Sequence, residues 1–382
     1  MQVSRDRSRF IYFTIGLLIG FALSSLGRQK FDSFHSAVIH GMKLAREQML
    51  QNMTAFDTTD SDSLEEPKLV GGTVAPVAGS PAPSENPIAD VLYNRVKVFC
   101  MIMTTQKHHA DKCRHVQQTW AKRCNKFLFV TDADDSSLPV LNTKMPANRN
   151  SLWGKTRKGF TYIFEQYGQD YHWFLKADDD TYIIMENLRL MLISHEVTEP
   201  VWFGYRFKPF VKPQGYMSGG AGYVLSREAL KKFVTEALPG SNPKCHGKSD
   251  QAYAEDVEMG HCLQGVGVKA GDSRDKKQRH RFLPYELESH MINHHRGDRS
   301  WWAYNYYNVE IGLTCCSEKA VSFHHLKAGQ MLMFEYLIYR VQPYGQCSAS
   351  KNDLAQTGTL GPDRNDLYQQ AVQYSNDMRP SR

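Results

Sequence analysis

The sequence predicts an α/β fold in which helices wind over both faces of a parallel sheet. Three short, mainly apolar runs carry this prediction: residues 96–103 (VKVFCMIM), 126–131 (KFLFVT) and 173–177 (WFLKA). Such runs are typical of strands that are buried on both faces of a parallel sheet. Segments with helical character separate them, and strand, helix, strand, helix, strand is the order of a doubly wound, Rossmann-like fold.

The helices between these strands are expected over residues 110–122 and 155–167. In the second segment, Phe160, Ile163 and Phe164 recur at the spacing of one helix face. Such a face packs against a sheet, so both segments are placed as crossover helices.

The middle of the chain continues the alternation and adds a glycine-rich loop. Residues 186–192 predict a helix and residues 201–205 a strand. Residues 216–226 (YMSGGAGYVLS) then predict a loop that runs into a strand, with Ser226 capping a helix over 227–235. The loop lacks the Gly-Lys-Ser/Thr ending of a Walker loop, so its small residues indicate close approach by a ligand or another backbone segment.

Charge and cysteine content narrow the class of protein. The 382-residue chain has a net charge of +6, and acidic residues interrupt its basic clusters. This pattern argues against a continuous basic surface that binds nucleic acid. Eight cysteines without C-x-x-C spacing predict disulfides in an oxidising compartment. The adjacent Cys315 and Cys316 are expected to pair with two different partners.

The N-terminus predicts a membrane anchor. Residues 1–9 form a cytoplasmic tail, and residues 10–27 are uncharged and long enough for a signal-anchor helix. A cleaved signal peptide is the alternative, because Ala22, Leu23 and Ser24 have cleavage-like spacing. Either interpretation places the remaining chain in the secretory lumen.

Three luminal segments are expected to follow. Residues 28–88 are a stem, helical at first and then a flexible stretch rich in small and polar residues. Residues 89–345 form the folded domain. Residues 346–382 are polar and are predicted to be a disordered tail.

Three consecutive carboxylates follow the third apolar run. Asp178, Asp179 and Asp180 stand at the carboxyl end of the predicted strand, where ligands bind in doubly wound sheets. Carboxylate oxygens suit Mg²⁺, Mn²⁺ or Ca²⁺ better than Zn²⁺. The alternative is an acidic surface turn, but the position at a strand end favours a site.

Further candidate groups lie later in the chain. Glu255 and Asp256 open a predicted helix, where acids are either functional or simply favourable to the helix dipole. Residues 301–307 (WWAYNYY) are an aromatic cluster that could be core packing or a sugar platform. His324 and His325 end a short apolar run, as ligands or as structural residues.

Together these groups fit the metal-dependent transfer of a sugar from a nucleotide diphosphate. A divalent ion would neutralise charge on the departing diphosphate. A separate carboxylate would take the proton of the acceptor hydroxyl, and attack opposite the leaving group would invert the anomeric carbon.

Over about residues 95–345, the chain resembles the core 1 β-1,3-galactosyltransferases, relatives of Fringe and other inverting β-1,3-glycosyltransferases. The resemblance is carried by residues 119–124 (TWAKRC), 173–182 (WFLKADDDTY), 203–209 (FGYRFKP), 215–226 (GYMSGGAGYVLS), 255–256 (ED), 270–275 (AGDSRD) and 315–316 (CC). It implies a GT-A fold, UDP-galactose as donor, Mn²⁺ as cofactor, and GalNAc α-linked to Ser or Thr of a glycoprotein as acceptor. It also implies a type II Golgi membrane protein that forms a homodimer.

The resemblance assigns roles to individual positions. Asp178 and Asp180 lie in the metal and UDP-sugar motif together with Asp179, with Asp180 the more direct metal ligand, and His324 matches a late histidine ligand. Asp256 matches the catalytic base, with Glu255 as its alternative. The positions expected around the nucleotide are Met103, Thr104 and Lys155, and those expected around the sugar and acceptor are Tyr216, Gly219, Gly220 and Trp301. Cys113 and Cys347 are additional to the family's cysteines and are expected to pair with each other.

Two alternatives remain open. A β-1,3-N-acetylglucosaminyl- or glucosyltransferase would keep the fold and change the sugar, since a few pocket contacts decide donor choice. An inactive chaperone-like or lectin-like relative would be free to lose its site residues. The presence of Asp178, Asp180, Asp256 and His324 together argues against this second alternative.

Overall fold

The computed structural model describes residues 87–250, 252, 254–292, 303–341, 364–377 and 379–380. The predicted anchor (10–27), most of the stem, and Trp301 lie outside these ranges. Within the described ranges, no helix has the length and apolar character needed to cross a membrane.

The described chain alternates helices and strands. The helices are α1 (Pro87–Arg95), α2 (Arg114–Gln118), α3 (Leu152–Tyr167), α4 (Met185–Leu192), α5 (Arg227–Lys232), α6 (Glu255–Gly265), α7 (Leu287–Met291), α8 (Ala328–Tyr339) and α9 (Arg364–Asp377). The strands are β1 (Val98–Met103), β2 (Lys126–Thr131), β3 (Val140–Asn142), β4 (Trp173–Asp178), β5 (Tyr182–Ile183), β6 (Val201–Gly204), β7 (Arg206–Phe207), β8 (Tyr216–Met217), β9 (Tyr223–Ser226), β10 (Lys269–Ala270), β11 (Phe282–Leu283) and β12 (Ser322–Phe323).

A seven-stranded sheet in the order β10-β6-β9-β4-β1-β2-β3 forms the centre of the fold. Its pairs are parallel except for β9, which runs antiparallel to both β4 and β6. The three predicted strands β1, β2 and β4 are parallel, as expected, and β9 makes the complete sheet mixed. The chain passes from β6 to β9 through the β7–β8 hairpin without a crossover helix, so β9 can enter the sheet in the reverse direction.

The core lies on both faces of this sheet. Strand β1 is buried at every position, as its continuous apolar run predicts. Helix α3 packs Phe160 and Ile163 against the sheet, and Phe160 meets the Tyr223 ring of β9 at a centroid distance of 6.3 Å. Strand β2 has the predicted bounds, and β1, β4 and α3 differ from theirs by one to three residues at an end.

The helix expected over residues 110–122 is instead a series of short helical turns, of which α2 is one. The regular helix ends at Thr119, whose φ of −105° and ψ of −107° are not helical. The Thr119 hydroxyl donates to the His115 carbonyl at 2.7 Å, a local bond that competes with helix continuation.

The end of the chain also differs from expectation, because α9 lies within the predicted disordered tail. Leu367, Ala371 and Ser375 form a buried stripe at helical spacing. The Ser375 hydroxyl lies 2.8 Å from that of Ser194, which holds the helix on the domain.

A second, three-stranded sheet brings a late segment of the chain to the end of β4. Strand β12 pairs antiparallel with β5, with Phe323 opposite Tyr182. Because β5 follows the acid triplet directly, this register places His324, the residue after β12, beside Asp180.

The disulfides correct two expectations. Cys315 and Cys316 bond to each other rather than to two separate partners. Cys113 is a buried free thiol 3.1 Å from the Thr104 hydroxyl, so the expected pairing with Cys347, which lies outside the described residues, is not formed. The other bridges are Cys100–Cys124 and Cys245–Cys262.

Candidate active site

A cavity of about 880 Å³ lies beyond the carboxyl end of β4. The two acidic groups that are far apart in sequence line it together: Asp178 and Asp180 at the end of β4, and Glu255 and Asp256 at the start of α6. Its other lining residues include Arg149, Lys176, Phe207, Phe210, Tyr216, Gly219, Gly220, His261, Pro284, Tyr285, Tyr304, His324 and His325.

One wall of the cavity carries a group suited to a metal ion. Ligand atoms of Asp180, His324 and His325 all lie within 4.8 Å of one another. His324 Nε2 lies 3.3 Å from an Asp180 carboxylate oxygen, and its Nδ1 lies 2.9 Å from the Pro284 carbonyl. Because only Nδ1–H can donate to that carbonyl, the Pro284 contact fixes the ring and turns Nε2 toward the acidic group.

Asp180 and His324 stabilise each other's charged forms. Burial raises the pKa of Asp180, but the hydrogen bond from His324 and the nearby positive charges of His324 and Lys112 together outweigh burial and lower the pKa to about 2. Burial lowers the pKa of His324, but the hydrogen bond to Asp180 and the negative charges of Asp178 and Asp180 together outweigh burial and raise it. Asp180 is therefore a carboxylate, the form that a metal ion requires.

The glycine-rich loop lies directly against this wall. A Cβ on Gly220 would lie 2.1 Å from His324 Cε1, closer than any side chain can approach. The Thr181 hydroxyl donates to the Gly220 carbonyl at 2.8 Å and holds the loop to the residue that follows the acid triplet. Glycine at this position is thus a steric requirement of the histidine.

A buried lysine links the two acidic groups. Lys176 Nζ lies 2.7 Å from Asp178 Oδ1 and 3.6 Å from Glu255 Oε2, and it donates to the Gly219 carbonyl at 3.0 Å. Burial lowers the pKa of Lys176, but the negative charges of Asp178 and Glu255 outweigh it and hold the pKa above its usual value. The buried ammonium thus offsets the buried carboxylate of Glu255 and the carboxylate of Asp178 that faces the cavity.

Glu255 and Asp256 have different surroundings. The oxygens of Glu255 face inward, toward the Tyr223 hydroxyl at 2.5 Å and Lys176. Asp256 is only half-buried and accepts from the backbone N–H groups of Gly219 at 3.1 Å and Val257 at 2.9 Å. Burial raises the pKa of both carboxyl groups. Asp256 is therefore the carboxylate of this pair that can meet a substrate.

Asp179 points away from the cavity. It accepts from the Thr104 hydroxyl at 2.7 Å and from Lys112 at 3.1 Å, and lies 2.7 Å from His108. Lys155 is buried nearby, 3.2 Å from Asp132. Four residues that were predicted to bind the nucleotide do not line the cavity: Met103, Thr104, Lys155 and Asp179. Met103, Thr104 and Asp179 lie at the ends of β1 and β4, and Lys155 reaches from α3 to within 3.4 Å of the Thr104 carbonyl.

Aromatic rings form the wall on the side of the β7–β8 hairpin. The Tyr216 ring lies 5.7 Å from Phe207 and 6.3 Å from Phe210, and Phe210 lies 6.0 Å from Tyr304. Phe210 is 61% exposed and Tyr304 37% exposed, so their faces are open to a ligand. Tyr216, Gly219 and Gly220 are thus placed in the cavity, as the sequence predicts.

Three residues that line the cavity were not predicted from the sequence: Lys176, Tyr285 and Arg149. Lys176 has a detectable signal, because a lysine inside an otherwise apolar strand must find a counter-charge when buried. The positions of Tyr285 and Arg149 depend on tertiary contacts between distant segments.

Comparison with known proteins places the chain in a family. A Fringe-like family model matches residues 93–275. The chain is 41% identical over 265 residues to glycoprotein-N-acetylgalactosamine 3-beta-galactosyltransferase 1 of Xenopus laevis, covering 69% of this chain and 72% of that protein. It is 27% identical over 184 residues to the beta-1,3-glucosyltransferase of Mus musculus, covering 48% of this chain and 36% of that one.

A solved glycosyltransferase involved in glycosylation of the major capsid of PBCV-1 matches 39% of this chain and 68% of its own, at 13% identity and a TM-score of 0.25. The sequence match to the Xenopus protein spans most of both chains and includes the residues that line the cavity wall from Lys176 to Asp256. The chain therefore belongs to the glycoprotein-N-acetylgalactosamine 3-beta-galactosyltransferase family of Fringe-like β-1,3-glycosyltransferases.

Proposed function

We propose that this protein is an inverting β-1,3-galactosyltransferase. It transfers galactose from UDP-galactose to the 3-hydroxyl of GalNAc α-linked to Ser or Thr of glycoproteins, giving Galβ1-3GalNAc. The observation that carries the proposal is the convergence of Asp178, Asp180 and His324 with Asp256 in one cavity. These are the residues to which the family motifs assign the donor and base roles.

The donor side of the site fits a divalent cation, for which we propose Mn²⁺. Asp180, His324 and His325 would hold the ion, with Asp178 beside them, and a mixed oxygen and imidazole donor set favours Mn²⁺ over Mg²⁺. When bound, such an ion offsets the negative charge that develops on the departing UDP.

Asp256 is the proposed base. Its half-buried carboxylate accepts the proton of the acceptor 3-hydroxyl, while the backbone N–H groups of Gly219 and Val257 hold its orientation. Its raised pKa strengthens it as a proton acceptor. The acceptor oxygen then attacks the anomeric carbon opposite the diphosphate, which inverts the configuration.

The proposed setting is a GT-A domain in the Golgi lumen, held as a homodimer of single-pass type II chains. The uncharged segment 10–27 supports the anchor. The disulfides Cys100–Cys124 and Cys245–Cys262 favour an oxidising compartment.

A donor panel tests the proposed function. The purified full chain is incubated with Mn²⁺, a peptide carrying one GalNAc-Thr, and UDP-galactose, UDP-GlcNAc or UDP-glucose in turn. We expect transfer of galactose, with a β1-3 linkage in the product by NMR. Preferred transfer from UDP-GlcNAc or UDP-glucose would contradict the galactosyl assignment, and no transfer from any donor would favour an inactive relative.

A further inference from the structure

A second cavity, of about 430 Å³, lies beside the active site. Residues 304–307 form the wall between the two: Tyr304 lines the active-site cavity, while Tyr306 and Tyr307 line the second one. Backbone bonds from Lys208 N to Tyr304 O (2.8 Å) and from Tyr306 N to Arg206 O (3.1 Å) fix this wall on strand β7.

The two cavities are close enough for one extended ligand. Tyr304 and Tyr306 are two residues apart, and two residues of chain span at most about 7 Å. Both residues are 37% exposed, so each offers an accessible ring to its own cavity. A polymer whose sugar occupies the active site can therefore reach the mouth of the second cavity.

The cations of the second cavity are already paired. Arg274 bonds Asp272 at 2.8 Å and lies 3.5 Å from the centre of the Tyr307 ring. Arg279 bonds Asp275 at 2.9 Å. The third cation, Lys277, lies 3.6 Å from Glu318. Because carboxylates accompany all three cations, the lining does not select for phosphate or another anion.

The remaining lining groups suit neutral hydroxyls. His280 is buried, and its Nε2 has no hydrogen-bond partner among the described residues. Burial lowers the pKa of His280 to about 4, so the ring is neutral, and its other nitrogen donates to the backbone of Asn308. The neutral imidazole therefore adds no positive charge to the lining of the cavity.

The mouth of the cavity adds exposed polar groups to an aromatic face. Gln278, Asn308 and Glu310 are exposed, and Arg206 stacks on one face of Tyr306 at 3.7 Å. An aromatic face with planar amide and carboxylate groups around it is the combination that binds a pyranose ring.

We propose that this second cavity binds a sugar carried by the same acceptor polypeptide, close in sequence to the GalNAc that receives galactose. The inference rests on the proposed function, because it needs a glycopeptide in the active site. A sugar subsite in the second cavity makes the protein selective for acceptors that already carry neighbouring sugars.

Two acceptors test the subsite. One peptide carries a single GalNAc-Thr, and the other carries a second GalNAc a few residues away. The full chain is expected to have about fivefold higher kcat/KM for the second peptide, mainly through KM, since an aromatic contact contributes about 1 kcal/mol. In Tyr306→Ala this ratio falls to about one, whereas Tyr306→Phe, which retains the ring, keeps it. Tyr336→Ala, an exposed tyrosine of α8 outside both cavities, is the matched control and keeps the ratio.

Equal kcat/KM for the two peptides in the unaltered protein, or a ratio that survives in Tyr306→Ala, overturns the subsite. Calorimetric binding of both peptides separates this failure from that of the proposed function. If no galactose is transferred but the doubly glycosylated peptide binds more tightly and Tyr306→Ala removes the difference, the subsite stands without the activity. If the two peptides bind equally in that case, both proposals fail.

Discussion

Replacing Lys176 with methionine tests whether one buried ammonium holds the two halves of the site together. Its Nζ lies 2.7 Å from Asp178 and 3.6 Å from Glu255. Methionine fills a similar volume but leaves both carboxylates without a counter-charge. Breaking a buried ion pair from one side costs about 3–5 kcal/mol. At about 2–4 °C per kcal/mol for a domain of this size, the melting temperature should fall by roughly 6–20 °C.

The loss should depend on Glu255 and on pH. The double variant Lys176→Met/Glu255→Gln removes one of the two uncompensated charges, so it should recover part of the lost stability. In Lys176→Met alone, the pKa of Glu255 rises further above its unfolded value. Stability is then present at low pH and lost as pH rises through the folded-state pKa, so the deficit should be larger at pH 8 than at pH 5.

The assay is thermal unfolding of the purified full chain, followed by circular dichroism at both pH values. Lys269→Met is the matched control, because Lys269 is exposed on the short strand β10 and its replacement should change stability by less than about 0.5 kcal/mol. Two results would contradict the proposed role of Lys176: a melting temperature of Lys176→Met equal to that of the unaltered protein, or a double variant that is no more stable than Lys176→Met.

Two further predictions concern the metal wall and the attachment of α8. Gly220→Ala should raise the Mn²⁺ concentration needed for half-maximal UDP binding at least tenfold, because the added Cβ would displace His324. Gly329→Ala is the control and should leave this concentration unchanged, because the space around its Cβ is open. An unchanged Mn²⁺ titration in Gly220→Ala would contradict the steric explanation. Burial raises the pKa of Glu335, but hydrogen bonds from Arg123, Lys122 and Tyr182 together outweigh burial and lower the pKa to about 2. The ionised carboxylate therefore stabilises the fold above the ordinary pKa of about 4.3, and this stability is lost as the pH falls toward 2. Glu335→Gln should therefore lower the free energy of unfolding by about 2 kcal/mol at pH 7, allowing for partial exposure of the side chain, and the difference in urea unfolding should disappear between about pH 4 and pH 2; a difference that persists at pH 2 would contradict it.

The central strands of the sheet were predictable because short apolar runs in the sequence indicate buried strands. Strands β1 and β2 and helix α3 follow such patterns directly. The reversed strand β9 was not predictable, because its apolar run is the same for either direction and only the path of the β7–β8 hairpin decides. Helix α9 escaped prediction since its buried stripe is short and its other faces are polar.

The site residues that belong to short sequence motifs were predictable. Asp178 and Asp180 of the acid triplet, the pair at the start of α6 and His324 all line one cavity, and the family is confirmed by the match to the Xenopus protein. The inward direction of Asp179 was not predictable, because three neighbouring aspartates look alike until backbone geometry turns one toward Thr104. Disulfide pairing likewise depends on distances that the sequence does not contain, as the bond between Cys315 and Cys316 illustrates.

Asp256 is proposed to take the acceptor proton, while the β4 side of the cavity holds the donor. Asp256→Asn, measured for galactose transfer to GalNAc-Thr peptide and for UDP binding in the presence of Mn²⁺, tests it most directly. Turnover is expected to fall by about 10²–10⁴-fold, while UDP affinity stays within about twofold of that of the unaltered protein. Turnover within tenfold of the unaltered protein, or a collapse of UDP binding, would contradict it.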